Sequence, residues 1–93
     1  MRDFFNIGVF YAHRSFADEY IKKLLDELDE SDIISVRKNE IQLKGGVRYL
    51  FMPTNDYCRG QRLDRAYVEG SVNEDYINYV IKPLLSKTQL LIL

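Results

Sequence analysis

Residues 59–70 read RGQRLDRAYVEG and join a basic, glycine-hinged loop to a short apolar strand. Gly60 and Gly70 flank the strand, which is predicted over Arg65–Glu69 and ends on a carboxylate. The chain before this stretch has the pattern of a strand, a helix and a hairpin, and the chain after it has the pattern of a helix and a strand. Residues 59–70 are therefore predicted to be the spine of the fold.

Composition predicts one small folded domain covering residues 1–93. This length supports a single modest core, and 46% apolar and 13% aromatic residues are typical of a globular chain. No apolar run approaches the roughly 20 residues that span a bilayer, and the first residues lack the pattern of a signal peptide. Cys58 is the only cysteine, which excludes an intramolecular disulfide and a multi-thiolate metal site. We therefore expect a cytoplasmic protein with no metal, no cofactor and no membrane contact.

Positive charge is concentrated in the middle of the chain. Residues 37–65 carry seven basic and three acidic side chains, whereas the whole chain has a net charge of −1. A cationic face of this kind can bind phosphate or an acidic partner. It can equally be a solvated hairpin that is rich in arginine and lysine, and the sequence leaves both interpretations open.

The first part of the chain predicts a buried strand followed by an amphipathic helix. Residues 4–12 (FFNIGVFYA) are nearly all apolar, as in a strand of a parallel sheet that is covered on both faces. Ser15 with Asp18 has the spacing of a capping box, so a helix is expected over about residues 16–29. Its apolar residues recur at helical spacing and predict one face packed on the sheet.

The remaining elements complete an α/β pattern. Three extended segments are predicted, at Ile33–Arg37, Glu40–Lys44 and Val47–Met52. Gly45-Gly46, between the second and the third, predicts a two-residue hairpin turn with positive φ. We expect antiparallel pairing to be confined to this hairpin. Ser71 with Glu74 repeats the capping-box spacing, Pro83 should end or bend the second helix, and residues 89–93 (QLLIL) predict a final strand. The expected class is a small layered α/β domain with a partly parallel sheet, two helices and a Gly-Gly β-hairpin.

Four motifs follow one another in the second part of the chain. They are an edge hairpin at residues 41–51 (IQLKGGVRYLF), an R-G-x-R-x-D loop at residues 59–64, an apolar strand ending in Glu-Gly at residues 66–70 (AYVEG) and a basic-Pro-apolar helix end at residues 81–85 (IKPLL). Together they resemble the ATPase core of the large terminase subunit, the DNA-packaging motor of tailed phages. The resemblance implies a phage-encoded protein with a truncated P-loop-ATPase-like core.

The catalytic parts of that family are missing from this sequence. No G-x-x-x-x-G-K-[ST] motif occurs, so the backbone cradle and the lysine for nucleotide phosphates are absent. Glu69 stands at the Walker-B-like position of the Mg²⁺-holding aspartate, and Gly70 replaces the carboxylate that polarises water. The resemblance therefore implies a protein that is not an enzyme, in which Glu69 is structural or a vestige of a metal ligand.

Basic and aromatic side chains in and near the loop are the candidate binding residues. An arginine can bind two oxygens of a phosphate or carboxylate at once, and tyrosines between arginines can stack on bases. We predict phosphate or partner binding at Arg48, Arg59, Arg62 and Arg65, and stacking at Tyr49 and Tyr57. The alternative is that Arg62 or Arg65 pairs with Asp64 or Asp56 and only fixes the loop.

The chain's single histidine and single cysteine carry weaker signals. His13 follows a predicted strand end, where α/β sheets place ligands, but the sequence shows no evident nucleophile or acid to act with it. Cys58 has no histidine nearby in the sequence and is interpreted as a passive thiol.

Three functions follow from these patterns. The first is a non-catalytic binding protein that contacts a host or phage protein, for example to inhibit a host factor. The alternative is an NTPase fragment that works in trans with a P-loop-bearing partner in DNA packaging, with Arg59 or Arg62 as an arginine finger. The third is direct nucleic-acid binding. A sheet without the P-loop strand would have an unpaired edge, so self-association through that edge is also expected.

Overall fold

The computed structural model of the chain describes residues 4–54, 62–85 and 89–93. These residues form a mixed six-stranded sheet and two helices, which confirms the α/β class. The strands are β1 (Phe5–Tyr11), β2 (Ile33–Arg37), β3 (Glu40–Leu43), β4 (Val47–Pro53), β5 (Arg65–Val68) and β6 (Leu90–Ile92). Within the described segments, neither helix has the length and apolar character that crossing a bilayer requires.

Helix α1 is Arg14–Glu27, and a 3₁₀ turn at Glu30–Asp32 leads from it to β2. Helix α2 covers residues 74–84 and is α-helical at Glu74–Tyr76 and Lys82–Leu84, with a wider π-helical turn at Ile77–Ile81 between them. The helix ends one residue after Pro83, as the missing proline N–H predicts.

The strand order is β2-β3-β4-β1-β5-β6, with β1 in the interior of the sheet. β1 is parallel to both β4 and β5, and β5 is parallel to β6. β3 is antiparallel to β4 as expected, but β2 is also antiparallel to β3, so the prediction of a single antiparallel pair is wrong. The reason is that a two-residue turn, Lys38-Asn39, joins β2 to β3, and parallel strands require a much longer crossover.

The glycine turn between β3 and β4 has the predicted conformation but one more residue than expected. Gly45 and Gly46 have φ values of 85° and 79°. The closing pair of the hairpin is Leu43 and Val47, which leaves three residues in the loop. Three-residue loops with a left-handed residue are common in hairpins. The carbonyl of Gly46 also accepts the N–H of Phe5, so the turn is tied to the start of β1.

The two helices cover opposite faces of the sheet. Side chains alternate between the faces along a strand, and in β1 this places Val9 and Tyr11 under α1 and Phe10 under α2. The α1 face also buries Ile41 and Phe51. The α2 face buries Leu50, Met52, Leu63, Ala66, Val68, Val72 and Ile81. The core is therefore two apolar layers, with β1 between them.

Neither helix begins with the capping box that its sequence suggested. The residue that caps α1 is His13, which makes no side-chain capping bond, and Ser15 lies in the first turn instead. Asn73 caps α2 by accepting the N–H of Asp75 at 2.7 Å. Glu69 bonds Ala12 and His13 at the start of α1 and Ser71 before α2, as described below.

Candidate functional site

The candidate site lies where the loops after β1 and β5 separate. These two strands are adjacent and parallel, but β1 leads into α1 on one face whereas β5 leads towards α2 on the other. Such a point, at the carboxyl ends of the strands, is where open α/β sheets bind ligands. The loop after β1 brings Ala12 and His13 to this crevice, and the loop after β5 brings Glu69 and Ser71.

Glu69 accepts four hydrogen bonds from the two loops. Its Oε1 accepts the backbone N–H groups of Ala12 at 2.8 Å and His13 at 3.0 Å. Its Oε2 lies 2.8 Å from Nδ1 of His13 and accepts the Ser71 hydroxyl at 2.8 Å. The Glu69 side chain is only 13% exposed. One carboxylate therefore joins the two loops and orients the imidazole.

These contacts fix the charge of Glu69. Partial desolvation acts to raise the pKa of its carboxyl group. The hydrogen bonds from the His13 side chain and backbone N–H, from Ser71 and from Ala12 outweigh this effect and lower the pKa from 4.5 to about 2. Glu69 is consequently ionised at neutral pH and accepts all four bonds.

The ionised carboxylate determines which nitrogen of His13 carries a proton. Because Oε2 of Glu69 can only accept, Nδ1 must donate, and in the neutral imidazole Nε2 then holds a lone pair. The His13 side chain is 65% exposed. Ser71 Oγ is 3.4 Å from Nδ1 and donates to the same carboxylate oxygen, so it lies on the Nδ1 side of the ring. The arrangement presents an oriented imidazole with Nε2 away from its carboxylate.

A second carboxylate joins the same two strands at their amino ends. Asp64 Oδ2 accepts the backbone N–H of Asn6 at 2.8 Å, and the backbone N–H of Asp64 donates to the Asn6 carbonyl at 2.9 Å. The Asn6 side chain donates to the Arg62 carbonyl at 3.1 Å and accepts Nε of Arg48 at 3.0 Å. This end is a closed network of hydrogen bonds.

Three of the predicted binding arginines, Arg48, Arg62 and Arg65, lie at this amino end, away from Glu69 and His13. The guanidinium of Arg48 lies 4.6 Å from the centre of the Phe4 ring and 3.8 Å from the Glu40 carboxylate. The guanidinium of Arg65 lies 5.6 Å from the centre of the Phe5 ring. Arg62 is exposed. Phosphate or partner binding by these three arginines stays a prediction, at the opposite end of the sheet from the Walker-B-like position.

The other predicted contacts are placed as follows. Tyr49 is half-buried and stacks on Phe51, with ring centres 6.4 Å apart and planes at 16°. Burial raises the pKa of the Tyr49 hydroxyl. This ring therefore packs against the core beneath α1. Arg59, Tyr57 and Cys58 lie outside the described residues. Among residues 4–54, 62–85 and 89–93, no three His, Cys, Asp or Glu side chains are grouped to hold a metal ion.

Sequence reasoning identified His13 and Glu69 separately but did not bring them together. They are 56 residues apart, and only the parallel pairing of β1 with β5 makes them neighbours. Ser71 was expected only to cap a helix, because its spacing from Glu74 fits a capping box, and its bond to Glu69 was not predicted. The available signal was that Glu69 ends one predicted strand and His13 directly follows another.

No protein family, curated protein or solved structure matches this chain. The resemblance to the terminase ATPase core consequently remains a hypothesis that depends on the sequence motifs.

Proposed function

We propose that this chain is a binding protein that receives a β-strand of a protein partner along the outer edge of β6. The single observation that carries the proposal is the composition of that edge. Residues 89–93 (QLLIL) contain no charged side chain and no proline. Leu91, Ile92 and Leu93 are 55%, 50% and 46% exposed. An apolar, uncharged edge strand is a template for pairing with another chain.

The opposite edge, β2, carries features that oppose such pairing. Ile34 and Val36 are exposed there as well. However, the register of β2 shifts between Ile33 and Ser35, the exposed Arg37 ends the strand, and the exposed Lys38 follows it in the turn. Bulges and lysine or arginine side chains are the usual protection of edge strands. The contrast between the edges favours β6 as the docking strand.

The hydrogen bonds of β6 indicate which backbone groups a partner would use. Ala66 N–H donates to the Gln89 carbonyl, and Leu93 N–H donates to the Val68 carbonyl. Backbone groups alternate in direction along a strand, so Leu90 and Ile92 direct their N–H and C=O groups outwards. A partner strand would bond to these two residues and pack on the exposed leucines, as in other cases of strand addition.

A binding role agrees with how Glu69 is used. All four of its hydrogen bonds connect it to groups of this chain, so Glu69 is engaged within the protein and does not stand free as a Walker-B carboxylate would. The missing P-loop motif gives the same indication from the sequence. We propose a host or phage protein as the partner, in line with the resemblance to a phage protein.

The test compares partner capture by three proteins: the wild type, Leu91→Lys on β6 and Ile34→Lys on β2. We expect Leu91→Lys to abolish capture of the partner and the matched control Ile34→Lys to retain it, with both variants folded by circular dichroism. Amide hydrogen exchange should slow at Ile92 when the captured partner is bound. A dimer in light scattering that Leu91→Lys dissociates would identify a second copy as the partner. Capture that survives Leu91→Lys, without protection of Ile92, would refute the proposal.

A further inference from the structure

The carboxyl end of the β1–β5 pair contains a group that strand pairing does not require. At the amino end, Asp64 fixes the backbone of β1 through the N–H of Asn6. At the carboxyl end, Glu69 does the equivalent for Ala12 and the His13 backbone. The imidazole of His13 adds a further bond to the same carboxylate while remaining mostly exposed. Its position is therefore not explained by holding the strands.

The geometry around the imidazole is that of an activated nucleophile. Nδ1 is held at 2.8 Å from a carboxylate, which fixes the ring and the tautomer. A carboxylate in this position holds the ring so that the other nitrogen points in one fixed direction. Ser71 supports the arrangement by donating to the same Glu69 oxygen at 2.8 Å. The remaining nitrogen, Nε2, has no hydrogen bond to a residue of the described segments, and the side chain that carries it is 65% exposed.

We propose that His13 is a covalent acceptor site whose Nε2 takes an electrophilic acyl or phosphoryl group from a donor molecule. This activity goes beyond partner binding at β6 and does not depend on it. Its requirements are an oriented imidazole, an accessible Nε2 and a carboxylate that stabilises positive charge, and all three are present at this site.

The transfer step balances with the groups present. The Nε2 lone pair forms a bond to the carbonyl carbon or phosphorus of the donor, and the leaving group departs with the electron pair of the bond that breaks. The ring becomes an imidazolium, and its positive charge is stabilised through the Nδ1 proton by the ionised carboxylate of Glu69. Water later attacks the carbon or phosphorus and loses a proton to solvent, and the bond to Nε2 breaks with its electron pair returning to the imidazole, so the cycle needs no oxidant.

Two probes distinguish the two electrophile classes. Diethyl pyrocarbonate reports acyl transfer through the absorbance of the modified imidazole, and phosphoramidate reports phosphoryl transfer through phosphorus NMR. The chain has a single histidine, so each signal belongs to His13. We expect modification at Nε2 about ten-fold faster than that of N-acetylhistidine under the same conditions. A fast reaction with only one probe would assign the site to that class.

Variants separate activation from mere exposure. Glu69→Gln should lower the rate about ten-fold, to that of N-acetylhistidine, and His13→Gln should abolish the signal. Asp64→Asn is the matched control, because it alters the other carboxylate of the same strand pair and should leave the rate unchanged. If Glu69→Gln does not fold, nitrogen NMR of the wild-type imidazole still tests the proposal, which requires the proton on Nδ1. Rates equal to those of N-acetylhistidine with both probes, or a proton on Nε2 in the neutral ring, would overturn it.

Discussion

Two carboxylates flank β5, and each fixes one end of its neighbour β1. At the amino end, Asp64 accepts the N–H of Asn6, whose side chain is bonded to further residues of this chain. At the carboxyl end, Glu69 accepts backbone N–H groups in the same way but also holds an imidazole that is exposed to solvent. The comparison separates structure from chemistry: a carboxylate is enough to fix each end of this strand pair, so the exposed histidine at one end requires another explanation.

The largest loss of stability is expected from a substitution at Gly8, which lies in β1 between the two ends that Asp64 and Glu69 fix. A Cβ at this position would lie 2.8 Å from Cδ1 of Leu63 and 3.0 Å from Cε1 of Phe10. Both of these side chains are fully buried, so neither can move away easily. Gly8→Ala should lower the free energy of unfolding by about 2–3 kcal/mol. Urea denaturation measures this loss.

The control combines Gly8→Ala with Leu63→Ala. The cavity left by Leu63 can accept the new methyl group, so the double variant should lose less stability than the sum of the single variants. Additive losses would show that the methyl group does not meet Leu63.

Removing each carboxylate in turn compares the two ends directly. Glu69→Ala deprives four donors of a charged acceptor and should cost about 2–3 kcal/mol of unfolding free energy. Asp64→Ala deprives the backbone N–H of Asn6 of its acceptor and should cost about 1–2 kcal/mol. Parallel denaturant titrations give both values. A greater loss for Asp64→Ala would reverse the ranking of the two ends.

Acid should weaken the carboxyl end in a defined pH range. Folding lowers the pKa of Glu69 from 4.5 to about 2, so the unfolded chain takes up this proton more readily than the folded chain. The stabilisation by Glu69 is complete above pH 4.5 and is lost as the pH falls towards about 2. Denaturation midpoints measured across this range should fall for the wild type and fall less steeply for Glu69→Gln. The same slope in both proteins would mean that other groups dominate the acid response.

The smallest stability effect is expected for His13→Gln. This change removes one side-chain hydrogen bond at an exposed position and leaves the backbone bonds to Glu69, so it should cost about 0.5–1 kcal/mol. Thermal unfolding at neutral pH tests this value. A loss as large as that of Glu69→Ala would mean that the imidazole is mainly structural, and the contrast between the two ends would disappear.

Local sequence patterns predicted most elements of the fold, because burial and turn chemistry leave periodic signals. The apolar run at residues 4–12 became the interior strand β1, and Gly45-Gly46 adopted positive φ in the hairpin turn. The antiparallel pairing of β2 was missed because the Lys38-Asn39 turn carries no glycine signal. The start of α1 was misplaced because Glu69, more than 50 residues away in the chain, bonds the backbone of Ala12 and His13. At α2, the Ser71 hydroxyl donates to the nearby Glu69 carboxylate and Asn73 is the cap.

The candidate site was less predictable than the fold. The order of strands in the sheet determines that His13 meets Glu69, and this order is a property of the whole chain. The arginines illustrate the same limit: nothing local to Arg48 or Arg65 indicates that Phe4 and Phe5 lie beside their guanidinium groups. Residue type identified the chemistry available, and topology decided which groups meet.

The central place of β1 also has a consequence for synthesis on the ribosome. Both neighbours of β1 come later in the chain: Ile7 pairs with Tyr49 on one side and with Arg65 on the other. The strand is therefore made long before its partners. Its apolar side chains cannot be buried in the sheet until the chain has been synthesised as far as Val68. Such distant pairings slow folding and expose unpaired strands to aggregation or to chaperones in the meantime. The most protected strand of the finished protein is thus its most vulnerable segment during translation.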